Sequence, residues 1–392
     1  MLEDRINQGW EQDDVSTLNP SDTKTEQIRE LVNTLVKSYQ QVGREKPGRR
    51  SKSVLPERDL TGHDLELYES WLAEAHRYFR EASQQTVPLT YASEWVLDNY
   101  YIIRQALQQI EEDMPVSFYN QLPRLTGGPL KGYPRIYAIA RAVLADQRLL
   151  LDPVDLQTIL VQYQERVPLT MGELWALPIF LRFGLIEFLA HELVLTIHPL
   201  KPPNLPTAIL QLPEIDDPFY SSEGATGGTA NTDGVANIIL SLRTISEQDW
   251  SDFFESVSRL ERTLRKDPAG IYSRMDFKTR DLYRKEIERL SLSTGQDENE
   301  LAEILLDLAN SSVPHHSDFS QEVIAADPPA DTDTLPATVE LASIQDNPNQ
   351  ALPGKHVGEV LLGKGRTFLE QQIGYQPDSK TSFKRWVFQH AS

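Results

Sequence analysis

Cysteine is absent from the sequence, so disulfide staples, thiolate metal ligands and a cysteine nucleophile are excluded from its chemistry. Positive charge is scarce as well. In 392 residues, 38 Lys and Arg face 58 Asp and Glu, a formal net charge of −20, and the clustered cations that track a phosphate backbone are missing. A nucleic-acid partner is therefore not expected. No apolar run reaches the roughly 18 uninterrupted residues of a membrane span, and the opening MLEDRINQGWEQDDV has neither the basic nor the apolar region of a secretory signal. These absences predict a cytoplasmic polypeptide, at most apposed to the inner face of the plasma membrane.

What the chain does have is one strongly apolar stretch, Pro168 to Val194, with a clear start. Thr170 and Glu173 have the spacing of a capping box, in which each side chain satisfies the other's backbone N–H. Behind it Leu174, Trp175, Ile179, Phe180, Phe183, Ile186, Leu189 and Leu193 recur at helical spacing, and Leu177, Leu181, Leu185 and Phe188 make the opposite face apolar too. A helix of this kind is buried nearly all round. Glu173, Arg182 and Glu187 fall inside it and need buried partners, because unpaired charge is rarely tolerated there. Pro178 removes a backbone donor and predicts a kink.

The remaining pattern predicts a mainly α protein, an irregular multi-helix bundle with flexible N-terminal, internal and C-terminal segments. Residues 1–60 read as a flexible segment with a helical candidate at Thr25–Tyr39 and a basic linker, Arg44–Arg58. Residues 61–310 read as a helical body with a Pro/Gly-rich insertion at 199–234, residues 311–354 as an acidic disordered tether, and 355–392 as a basic segment. Within the body, Tyr91–Asp113 carries Trp95 and Tyr100 on an apolar stripe; Asn99, Tyr100 and Tyr101 read as helical core or as a sugar-stacking group. Pro123–Tyr133 reads as a loop leading to PRIYAIARAVLADQ, a short helix. Ser246 with Asp249 reads as the N-cap of one helix carrying Trp250, Phe253, Phe254, Val257, Leu260 and Leu264. The candidate structural or interaction residues are Trp95, Tyr133, Arg135, Tyr137, Glu173, Trp175, Arg182, Glu187, Asp249, Trp250, Phe253, Phe254, Lys384, Arg385 and Trp386. Lys384, Arg385 and Trp386 sit in SFKRWVFQHAS, which reads as a juxtamembrane segment or as a frayed basic tail.

Each motif with a catalytic look fails at a specific atom. GEVLLGKG at Gly358–Gly365 has Walker A spacing, but Gly365 stands where a Ser or Thr hydroxyl should bind magnesium. Asp331-Thr332-Asp333 has the spacing of a metal-binding DxD pair but lies in the acidic tether. His191-Glu192 begins like a zincin helix, yet His198 comes two turns later instead of one, and His315-His316 has no nearby ligands. No Gly-x-Ser-x-Gly elbow occurs. No catalytic, cofactor-binding or metal-ligating residue is assigned.

Five stretches together resemble the N-terminal region of cyclic β-1,2-glucan synthases, the bacterial inner-membrane enzymes that build cyclic glucans from UDP-glucose. They are SEWVLDNYYII from Ser93, LPRLTGGPLKGYPRIYAIARAVLA from Leu122, YQERVPLTMGELWALPIFLRFGLIE from Tyr163, the long run from Ser241 to Leu290, and HVGEVLLGKGRTFLEQQIGYQP from His356. The transferase and phosphorylase motifs of that family are missing, so its activity is carried over to no residue. The resemblance implies a helical, non-catalytic module on the cytoplasmic side that supports synthesis by contacting a membrane-embedded glycosyltransferase part, in cis or in trans, or the growing β-1,2-glucan. Such a chain is a truncated or split synthase or a stand-alone adaptor, with a free carbohydrate-active enzyme as the reading from another class.

Overall fold

The computed structural model describes residues 20–43, 60, 64–85, 89–197, 232–311, 356–363 and 365–376. Most of the insertion and the tether, with His198, His315-His316 and Asp331-Thr332-Asp333, lie outside the described residues, as do Lys384, Arg385 and Trp386. The described residues are mainly α, with fourteen helices and one two-stranded antiparallel sheet, and they divide into two compact units at Arg259/Leu260. That boundary falls inside the stretch 61–310 that the sequence pattern suggests as one body.

The first unit contains α1 (Pro20–Tyr39), β1 (Val42–Gly43), α2 (Leu65–Gln84), α3 (Tyr91–Asp113), α4 (Val116–Tyr119) and β2 (Arg124–Leu125). After these come α5 (Arg135–Asp146), α6 (Pro153–Gln164), α7 (Met171–Ile197), α8 (Thr232–Glu247) and α9 (Trp250–Val257). At its centre α7 packs against α2, α3, α5, α8 and α9, which is why an all-round apolar sequence is accommodated there. The expected capping box forms: Thr170 N–H donates to Glu173 Oε2 at 2.9 Å, and Glu173 N–H to Thr170 Oγ1 at 3.3 Å. The helix carries through Pro178 without a break to Ile197. Among the described residues no helix is long and apolar enough to cross a membrane.

Two local expectations change. The helix α1, placed by its polar surroundings in a flexible leader, is docked: Leu31, Val32, Leu35 and Tyr39 are buried, Tyr163 Oη donates to the Tyr39 carbonyl at 3.1 Å, and Lys24 pairs with Asp155 at 2.9 Å. Pro123–Tyr133 is not all loop, since Val42 pairs with Leu125 and Gly43 with Arg124. A ladder of two residues is too short to show any alternation in sequence.

The second unit begins in α10 (Arg259–Leu264) and continues through a 3-10 turn at Tyr272–Arg274, α11 (Phe277–Thr294), α12 (Glu298–Asn310), α13 (Val357–Leu361) and α14 (Arg366–Gln372). The single helix expected after Asp249 is two helices, because Ser258 adopts extended backbone (φ −66°, ψ 120°) between α9 and α10. Residues 356–376 pack on α11 and α12 instead of forming part of a basic tail. Here Gly358–Leu361 of the GEVLLGKG stretch are helical in α13, and Gly365 is the N-cap of α14. Cβ atoms at Gly363 and Gly365 would stand 2.8 Å from the Glu359 carbonyl oxygen and the Val360 Cα, so these glycines serve close packing against α13.

Candidate functional site

The charges inside α7 meet two different fates. Glu173 is gripped by Arg135 of α5 in a fork, Nε to Oε1 at 2.7 Å and Nη2 to Oε2 at 2.6 Å, and the same guanidinium donates to the Pro168 carbonyl at 3.0 Å. Glu187 forms an ion pair with Arg141, one helical face further along α5, and accepts hydrogen bonds from Tyr137 Oη at 3.0 Å and Tyr68 Oη at 3.2 Å. All of these groups are buried. Burial, and the Glu187 charge after it, push the Tyr68 and Tyr137 hydroxyls far above the usual phenol range, so both remain protonated donors. Glu173 and Glu187 thus hold α5 against α7, and their oxygens are committed to that work.

Arg182 differs. It is only 8% exposed, yet no carboxylate forms an ion pair with it among the described residues; Nη1 makes a 3.3 Å bond to the Pro178 carbonyl and Nε has no partner. Burial pulls its pKa below the ordinary guanidinium value, while the Asp113 charge acts in the opposite sense. It remains a cation at neutral pH.

Arg182 lines a cleft of about 360 Å³ whose other walls are Trp175, Pro178 and Ile179 of α7, Trp250 and Phe254 of α9, Phe118 of α4, and Asp113 at the end of α3. The aromatic walls brace one another. Trp175 and Phe254 meet edge to face with centroids 4.3 Å apart, Trp250 and Phe253 at 5.1 Å, and Trp250 Nε1–H is tied to the Ile245 carbonyl at 2.9 Å. Phe253 and Phe254 are buried, whereas Trp175 and Trp250 are half-buried and face the opening. Asp249 alone caps α9, accepting from Ser251 N–H at 2.9 Å and so fixing where Trp250 begins, whereas Ser246 lies inside α8 and donates to the Leu242 carbonyl at 3.0 Å. The structure therefore gathers Trp175, Arg182, Trp250 and Phe254 at one place, from helices separated by more than fifty residues of sequence.

Other candidates lie elsewhere in the same unit. Tyr133 stacks on Tyr137 at 5.4 Å, and Trp95 is half-buried against Tyr91 at 6.0 Å. Tyr100 stacks on His76 at 3.8 Å while Tyr101 is exposed, so neither is simple helical core. Phe118 and Asp113, which complete the cleft, are not among the residues the sequence pattern points to. Neither position has a periodicity that marks it.

A second cluster went unnoticed in sequence. In the second unit the buried Glu261 accepts from Tyr272 Oη at 2.7 Å, Arg284 at 2.7 Å, Arg265 at 2.9 Å and lies 3.2 Å from Arg280. Asp267 accepts from the backbone N–H groups of Ile271, Tyr272 and Val357 and from His356 Nδ1 at 2.9 Å, and His356 Nε2 meets Tyr283 Oη at 3.1 Å. Burial drives both carboxyls up, but these donors outweigh it and hold each below the usual carboxylate range. Carboxylates held this firmly ionised clamp the unit together and are poor proton donors.

No family model matches the chain. The chain is 30% identical, over an alignment of 360 positions that takes in 77% of it, to the cyclic beta-(1,2)-glucan synthase NdvB of Rhizobium meliloti (strain 1021). It spans 11% of that protein's length, so over most of its own length this chain is similar to a region of a cyclic beta-(1,2)-glucan synthase.

Proposed function

We propose that this chain is a non-catalytic helical module that supports glucan synthesis from UDP-glucose at the cytoplasmic face of the membrane, in contact with the glycosyltransferase part of a synthase. The observation that carries the reading is the similarity to a glucan synthase across 77% of the chain. The chemistry of the carboxylates agrees. Glu173, Glu187 and Glu261 are each buried and bound by arginine, which leaves their oxygens committed to packing contacts and not exposed to a substrate.

Deletion of the segment encoding this chain from its host is expected to lower β-1,2-glucan sharply, and the tagged chain is expected to recover a glycosyltransferase from detergent-solubilised membranes. Unchanged glucan with no transferase recovered would overturn the reading. The purified chain supplied with UDP-glucose and magnesium or manganese should transfer no glucose; transfer by the pure protein would overturn the non-catalytic part of it.

A further inference from the structure

We propose that the cleft beside α7 is a saccharide-binding site that takes a neutral glucan segment, with Trp175 and Trp250 as stacking platforms and Arg182 as the hydrogen-bond donor. The assignment of glucan as the ligand rests on the function proposed above; the site itself is argued from its chemistry.

A buried guanidinium with an unpartnered Nε and one 3.3 Å bond is costly to keep, and among the described residues no carboxylate pairs with it as Glu173 and Glu187 pair with Arg135 and Arg141, the Asp113 charge acting on it without an ion-pair contact. Its donors gain their full value only when a ligand supplies oxygen acceptors. Asp113 lines the same cleft, so its walls carry one carboxylate beside the one guanidinium and no net charge. A multiply charged anion such as a nucleoside diphosphate finds a single cation there with a carboxylate at the same cleft, a poor electrostatic match. An apolar side chain from a protein partner would cover the tryptophans but leave Arg182 unpaired. A neutral ring with hydroxyls at its edge and C–H groups on its faces meets both demands: its faces lie on the aromatic walls, its hydroxyls accept from Arg182 and donate to Asp113. About 360 Å³ is near the lower end of the roughly 300–1,000 Å³ range of small-molecule sites, which suits a short stretch of chain.

The test is titration of the full chain with linear β-1,2-gluco-oligosaccharides, read by calorimetry and by tryptophan fluorescence, beside UDP-glucose and oligosaccharides of another linkage. Binding of the neutral β-1,2 oligosaccharide is expected, weakened about tenfold or more in Arg182→Met and in Trp250→Ala, with circular dichroism and melting unchanged in at least one of them. UDP-glucose should bind no better than glucose. Equal binding by the wild type and both variants, or no binding by the wild type at millimolar ligand, would overturn the assignment. If oligosaccharide fails to bind while Arg182→Met or Trp250→Ala loses the glycosyltransferase in recovery experiments, the cleft belongs to a protein partner and the saccharide assignment is wrong. Failure of the parent reading looks different: glucan synthesis then survives deletion of the chain, whether or not the cleft binds sugar.

Discussion

The two units solve the same problem, ionised groups inside a helical core, by different means. In the first, an apolar helix carries isolated carboxylates, each assigned to one arginine of α5: Glu173 to Arg135 and Glu187 to Arg141. In the second, Glu261 is shared by Arg265, Arg280 and Arg284, and Asp267 gathers backbone donors from the 3-10 turn and α13. One unit is an oil core with two discrete rivets, the other a charge network in which each member has several neighbours. The difference teaches where to look for function. Against a background in which the core charges are matched, the unmatched Arg182 stands out, and it stands beside aromatic rings at an opening.

The comparison breaks most visibly at Arg141. Arg141→Met leaves Glu187 buried with only tyrosine donors, and removal of one partner of a buried pair costs about 3–5 kcal/mol. Urea unfolding of the full chain should show that loss, with hydrogen exchange rising first in α5 and α7. The double change Arg141→Met with Glu187→Leu should recover much of it, since apolar replacement of both partners is often tolerated; a double variant as damaged as the single one would mean that the pair does more than neutralise itself.

Acid sharpens the comparison in the second unit. Glu261 and Asp267 have folded pKa values held below those of the unfolded chain, so their contribution is full above the unfolded value, about 4, and is lost as pH falls through the folded one. Amides of α10, α11 and α13 should lose protection as pH drops from 5 to about 3, and Asp267→Asn should flatten part of that dependence. A profile unchanged by the substitution would remove Asp267 from the clamp. The smallest effect is expected at Arg182, where Arg182→Met should change unfolding free energy by less than about 1 kcal/mol or even raise it, because no ion pair is lost. A large destabilisation, read in the same urea experiment, would make Arg182 a structural residue.

Most of the helices were legible because their apolar residues repeat at the period of the secondary structure; the caps at Thr90, Asp152, Asp276 and Asp297, which accept N-terminal amides, emerge in the structure. The aromatic residues of α9 and α7 were legible as candidates, but not as neighbours. The charge hub of the second unit was invisible, since Glu261, Asp267, Arg284 and His356 are ordinary surface residue types until tertiary contacts surround them.

Local sequence by itself determined that this chain is helical, that α7 would be buried on every side, and that Glu173 and Glu187 would require partners there, because helix periodicity and the cost of desolvating charge act within a few residues. Only the tertiary structure decided which arginines answer those carboxylates, that α1 and residues 356–376 dock instead of trailing free, and that Arg182 meets Trp250 across a cleft. Those outcomes depend on which helix faces come together, and burial at a given residue is set by distant segments of chain whose contribution no local pattern records.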